Sequence, residues 1–158
     1  MDFKNFKRTA YCGLVNKDFL NKEVVLEGWV NRKRNLGSLI FIDLRDREGI
    51  VQIVFKEGDE VFEIADSLKS EYCIKVKGIV KERESKNSNI YTGDVEVICD
   101  NLEIYSKSNL LPFMVDEGFC VNENLKFKYR YISLRNEKYQ KIFKIRSEVS
   151  MAFREFLH

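Results

Sequence analysis

Proline and histidine are almost missing from this chain: Pro112 and His158 stand alone in 158 residues. The four cysteines, Cys12, Cys73, Cys99 and Cys120, form no CxxC pair. A tetrahedral zinc site needs clustered Cys and His ligands, so no metal is expected. Each cysteine neighbours apolar residues and reads as a buried free thiol. No apolar run approaches the roughly 20 residues of a membrane-spanning helix, and no signal-peptide pattern opens the chain. A reducing, cytoplasmic setting without a membrane partner is therefore expected. GxSxG, phosphate-loop and HExxH patterns are all lacking. Asp43 and Asp46 flank arginines and read as structural, so no catalytic residue and no cofactor are expected in this segment. Charge of one sign is lacking too: 27 basic against 25 acidic residues leave +2. The local balance differs. From Lys126 to Arg146 eight basic residues face one acid, Glu137, which suits either a nearby polyanion or a solvated basic face.

What is present is alternation. Glu23–Asn31 (EVVLEGWVN) is rich in β-branched residues, and Gly28 within it suggests a bulge or sharp coil. A basic turn is expected over Arg32–Ser38, then strands Leu39–Arg45 and Ile50–Phe55 around the tight turn Asp46–Gly49. Val61, Ile64, Ala65 and Leu68 share one face of a short helix within 59–69. Strand character returns over Tyr72–Val80 and Gly93–Tyr105, with a polar loop from Glu82 to Asn89. The order β-β-β-α-β-β predicts an all-β fold with accessory helices, a five-stranded OB barrel over 1–105. Residues 106–136 read as a linker. Over 137–158, Ile142, Ile145, Val149, Ala152, Phe153 and Phe156 make an apolar helical stripe with no stop signal after it. That helix reads as the start of a larger domain cut short, or as a terminal helix docked on its own barrel.

Strand side chains alternate with period two. Ile40, Ile42 and Leu44, with Val51, Ile53 and Phe55, must fill the barrel. Phe41 and Gln52 are then expected outside and exposed on adjacent strands, next to Arg32 and Arg34 of the leading loop. An exposed ring stacks on a base for roughly 1–3 kcal/mol, an amide pairs with a base edge, and arginines hold phosphates or base edges. Glu96, between Val95 and Val97, faces outward and can accept from base amino groups. Trp29 either extends the platform or packs beneath it. Any one of these residues alone reads as an ordinary strand position. Together on one face they predict binding of single-stranded nucleic acid.

The stretch GWVNRKRNLGSLIFIDLRDREGIVQIVF (28–55) closely resembles the N-terminal anticodon-binding domain of bacterial-type aspartyl-tRNA synthetases. The resemblance continues through RTAYCG (8–13), SEY (70–72), TGDVEV (92–97), KYRY (128–131) and Leu134-Arg135. It implies that Phe41 stacks on the middle anticodon base, that Gln52 reads base edges, and that Arg32 and Arg34 bind anticodon bases or their phosphates. Asn87 and Glu96 complete the base pocket, and Leu36 and Lys86 resemble the branch specific for aspartate tRNA. It further implies a hinge around Lys128–Arg135 near the tRNA stem and a final helix at the start of the first class II motif. The full-length enzyme would be a homodimer that activates aspartate with ATP and magnesium. This segment alone would bind the anticodon loop and be inactive. The chain departs from the family's Leu-Asp-Leu-Arg-Arg-Pro at Ile132-Ser133-Leu134-Arg135-Asn136-Glu137. Two other readings stay open: a free-standing single-stranded nucleic-acid-binding OB protein, and an assembly module whose barrel docks to a partner.

Overall fold

The computed structural model describes residues 7–116 and 120–158, in two compact units that divide between Ser108 and Asn109. The first unit holds five strands: β1 Glu23–Asn35, β2 Leu39–Arg45, β3 Ile50–Lys56, β4 Cys73–Glu82 and β5 Val95–Ser106. They close in the order β1-β2-β3-β5-β4, all antiparallel except β3 against β5. This is the predicted OB barrel. Its interior is filled by the alternate apolar residues of each strand, among them Leu26, Val30, Ile40, Ile42, Leu44, Ile53, Phe55, Ile74 and Val97.

Helix α1, Phe62–Ser67, follows β3 and is shorter than the 59–69 periodicity suggests. Val61, Ala65 and Leu68 are buried as expected, but Ile64 is 41% exposed. Phe62 packs against the core on the other side of the first turn.

Gly28 is not the site of the irregularity in β1. It pairs in register with Ile74, and a Cβ there would lie 2.5 Å from the carbonyl oxygen of Arg45. Its role is to let β1 and β2 approach closely. The bulge comes between Val30 and Arg32, where Asn31 is the extra residue. The expected turn at Arg32–Ser38 is likewise shorter, because β1 runs on to Asn35 and Arg32 to Asn35 pair with Asp43 to Ile40.

The second unit carries α2 Glu123–Lys128, α3 Arg130–Ser133 and α4 Glu137–Leu157. The segment expected as a bare linker thus contains two short helices. They bury Phe113, Val115 and Ile132 against Leu111, Val121, Leu125 and Tyr129. Asn136 supplies the N-cap of α4: its Oδ1 accepts from the Lys138 amide (3.0 Å). Its Nδ2 donates to the carbonyls of Val115 (2.9 Å) and Asp116 (3.2 Å). The apolar residues of α4 stay 43–86% exposed, and the helix buries none of its side chains.

None of the four cysteines is in a disulfide, but only Cys12 and Cys99 are buried; Cys73 is half-buried and Cys120 exposed. Desolvation pushes the Cys12 thiol well up and the Cys99 thiol to about 12. Both are therefore protonated at neutral pH and serve as small apolar core groups.

Candidate nucleic-acid interface

The outer face of the barrel is set by strand parity. In β1, Val24, Leu26 and Val30 point inward, so an unbroken alternation would turn Arg32 and Arg34 inward as well. The extra residue at Asn31 shifts the count by one. Arg32 pairs with Asp43 and Arg34 with Phe41, and all four belong to the outer face. Lys33 and Asn35 take the opposite side and reach α1. The Lys33 ammonium bonds the carbonyl and carboxylate of Asp66, and Asn35 Nδ2 donates to the same carboxylate at 2.8 Å.

The register continues across the barrel. Asp43 lies opposite Gln52, and Gln52 opposite Glu96, so Arg32, Asp43, Gln52 and Glu96 form one row over four strands. Phe41 belongs to the next row, between Arg34 and Val54. Arg34 Nη2 donates to Gln52 Oε1 at 2.9 Å, and Gln52 Nε2 donates to Glu96 Oε2 at 2.8 Å. The Arg34 guanidinium is also 3.7 Å from the Asp43 carboxylate and 5.6 Å from the centre of the Phe41 ring.

This chain corrects one expectation. Gln52 projects from the outer face but is not exposed; at 3% it is buried by its neighbours. Arg34 and Glu96 hold the two ends of its amide. Phe41 is half-buried rather than open, with Arg34 above its ring. Trp29 is 36% exposed, and its register partner across β2 is Arg45. Arg32 is exposed, and its side chain forms no hydrogen bond or ion pair with any described residue.

Lys86 and Asn87 stand in the loop after β4, beyond the Lys81–Glu96 register pair. Neither bonds to the Arg34–Gln52–Glu96 chain. Lys86 pairs with Glu82 at 2.8 Å. Asn87 organises its own loop: its Oδ1 accepts from the Asn89 amide (3.0 Å), and its amide donates to the Gly93 carbonyl (3.0 Å). A Cβ on Gly93 would lie 1.7 Å from the Asn87 carbonyl oxygen, so only glycine closes that loop.

Two features escaped sequence reasoning. Asp43, read from the sequence only as a structural acid flanking arginines, stands in the outer row opposite Arg32 and 3.7 Å from Arg34. Arg45, 12% exposed in its side chain, pairs with the buried carboxylate of Glu71 at 2.7 Å. No local pattern connects those positions, and only the closure of the barrel brings them together.

The two rows together can hold a flat, hydrogen-bonding ligand. They offer an aromatic face, an amide with both donor and acceptor, a carboxylate acceptor and two guanidinium groups. That set matches an unpaired nucleobase with its phosphate. Comparison with known proteins agrees. Residues 24–105 match the model of the OB-fold nucleic acid binding domain, and residues 122–158 that of class II tRNA synthetases (D, K and N). An aspartate–tRNA ligase of Staphylococcus epidermidis is 47% identical over 156 residues, 96% of this chain and 26% of that protein. This chain therefore spans about a quarter of the length of the curated relatives it matches. The asparaginyl-tRNA synthetase of Pyrococcus horikoshii in complex with asparaginyl-adenylate superposes with a TM-score of 0.82 at 33% identity, over 96% of this chain and 34% of that one. A protein of Leishmania major described as a putative aspartyl-tRNA synthetase shares the fold (TM-score 0.84, 24% identity, 99% and 34% covered). With the closed five-stranded barrel, its polar outer row and a family match over more than half its length, the chain belongs to the OB-fold nucleic acid binding domains.

Proposed function

We propose that this chain recognises the anticodon loop of aspartate tRNA as part of an aspartate–tRNA ligase. The observation that carries the reading is the in-register row Arg32–Asp43–Gln52–Glu96 with Phe41 beside it. The relatives' names point to the same RNA. In this reading Phe41 stacks on the middle base, Gln52 and Glu96 meet base edges, and Arg32 and Arg34 take phosphates or base edges. Trp29, Lys86 and Asn87 flank the path. Because Gln52 is already closed by Arg34 and Glu96, an incoming base exchanges those hydrogen bonds for its own. The net gain then rests on fit rather than on hydrogen-bond count. A base that cannot replace both partners leaves buried polar groups unpaired, a strong basis for rejection.

We assign residues 1–105 to the RNA-binding barrel, 106–136 to a hinge and 137–158 to the start of the catalytic domain. The ligase would use ATP and magnesium to activate aspartate. That chemistry belongs in this reading to the remainder of such a ligase, since this chain matches about a quarter of the length of its curated relatives. The exposed apolar residues of α4 support a homodimer. The free cysteines support a cytoplasmic setting. No helix among the described residues is long and apolar enough to cross a membrane.

The test is a fluorescence titration of the 158-residue chain against the aspartate-tRNA anticodon stem-loop and against a fully paired duplex of equal phosphate count. Tighter binding of the loop, weakening as salt rises, is the expected result. Equal affinity for both would reduce the interface to charge alone. The same preparation should give no aspartate-dependent pyrophosphate exchange.

A further inference from the structure

Three side chains outside the polar row hold the bulge on which that row depends. Arg45 Nη1 donates to Asn31 Oδ1 at 2.5 Å, and Arg45 Nη2 donates to Glu71 Oε1 at 2.7 Å. Asn31 is the extra residue of the bulge. Glu71 is buried in the turn that leads into β4 and carries a left-handed backbone, φ 63°. A non-glycine residue holds that conformation only where its surroundings fix it. Here the backbone is tied at both ends: the Glu71 amide donates to the Val30 carbonyl (2.7 Å), and the Val30 amide donates to the Tyr72 carbonyl (2.9 Å). The residue before the bulge is thus bonded to the Glu71 turn, and the bulged residue is bonded through Arg45 to the same turn.

We propose that Asn31, Arg45 and Glu71 are positioning residues: they lock the β1 bulge and thereby aim Arg32 and Arg34 at the RNA. A one-residue change in strand count sends every later side chain to the other face. With the bulge closed, Arg32 and Arg34 share a face with Phe41 and Gln52, while Lys33 and Asn35 hold α1. If the bulge relaxes and the extra residue is absorbed elsewhere, the arginines lose their register against Asp43 and Phe41. Arg45 is well suited to the lock. Its planar fork contacts two acceptors at once, and breaking its largely buried pair with Glu71 would leave a charge inside the fold uncompensated. This inference rests on the proposed RNA-binding role of Arg32 and Arg34, but the lock itself can be read without RNA.

The decisive variants are Asn31→Ala, which removes the acceptor, and Asn31→Asp, which restores one. Asn31→Ala should melt as a folded barrel, lose the cross-strand proton contact between Arg32 and Asp43 in NMR spectra, and bind the anticodon stem-loop roughly tenfold more weakly. The salt slope should fall by about one, as for one lost phosphate contact. Asn31→Asp should recover both affinity and slope. In an Arg32→Ala/Arg34→Ala background, Asn31→Ala should cost nothing further, because the groups it aims are gone. An equal loss in both backgrounds would overturn the proposal, since a merely structural role is additive. So would an intact Arg32–Asp43 contact in Asn31→Ala. Should that variant fail to fold, Glu71→Ala takes its place, with Glu71→Gln, which keeps an acceptor for Arg45, as the restoring control, and an unchanged Arg32–Asp43 contact at unchanged affinity in Glu71→Ala then refutes the lock. If the unmutated chain does not prefer the loop over a duplex, the RNA reading fails. The NMR contact still decides the lock.

Discussion

Phe41 and Phe55 stand on neighbouring strands and face opposite ways. Phe55 is fully buried in the barrel, whereas Phe41 is half-buried on the outer face under Arg34. Phe55→Ala should cost about 3–5 kcal/mol of stability through the cavity it opens. Phe41→Ala should cost under about 1 kcal/mol of stability and instead remove about 1–3 kcal/mol of RNA binding, the value of one stacked base. Thermal melts and RNA titrations on the two variants check this; equal unfolding by both would reverse the assignment of the face. That division was legible from the two-residue alternation of LIFIDLR. The burial of Gln52 was not. Alternation tells which face a side chain leaves from, but whether neighbours close over it depends on residues far away in sequence, here Arg34 and Glu96. Gln52→Ala should therefore cost stability as well as recognition, about 1–3 kcal/mol, because it removes the donor from the half-buried Glu96 carboxylate and leaves a gap where a buried amide stood. Denaturant unfolding of that variant measures it.

At the scale of elements, period-two and period-3.6 patterns located the five strands, α1 and α4 but not α2 and α3, while ends and irregularities shifted. β1 runs four residues into the expected turn because Arg32–Asn35 find partners on β2, a pairing that local polarity conceals. The irregularity lies at Asn31 and not at Gly28, because glycine marks close approach as readily as it marks a bulge. The contact of β1 with α1 also has a pH signature. Hydrogen bonding from Asn35, then from Lys33, holds the Asp66 carboxyl below its ordinary 3.8. A lowered carboxyl stabilises the folded form above that ordinary value and loses the contribution as pH falls through its folded value. Asp66 is exposed, so the effect is local: amide exchange in α1 and at Lys33–Asn35 should speed up below about pH 4, and not in Asp66→Ala. In the second unit, the departure from the family pattern at Asn136 has a structural use, since one amide caps α4 and ties down the 115–116 backbone. Asn136→Ala should lose about 0.5–2 kcal/mol of local helix stability. Asn136→Asp should keep the cap and lose only the tie to Val115 and Asp116, a split that circular dichroism and proton exchange on the two variants would resolve.

For the molecule as a whole, the order β-β-β-α-β-β sufficed to predict the barrel, because few closed sheets accommodate that order in so short a chain. The clustering of the polar row was legible only in part. Phe41, Gln52 and Glu96 could be placed on one face by parity, but the parity of Arg32 and Arg34 depends on a bulge held by Arg45 and Glu71. Those contacts form only when the barrel closes. Lys86 and Asn87 illustrate the opposite limit, since a loop residue's partners are set by the loop's own turns, and theirs are Glu82, Asn89 and Gly93. The central claim is that this closed barrel reads a base, not merely a phosphate chain. The most direct measurement compares the affinity of the 158-residue chain for the aspartate-tRNA anticodon stem-loop with its affinity for the same stem-loop changed only at the middle anticodon base. A loss of about 1–3 kcal/mol on changing that base, at unchanged salt dependence, is the predicted result. Equal affinity for the two stem-loops would contradict it.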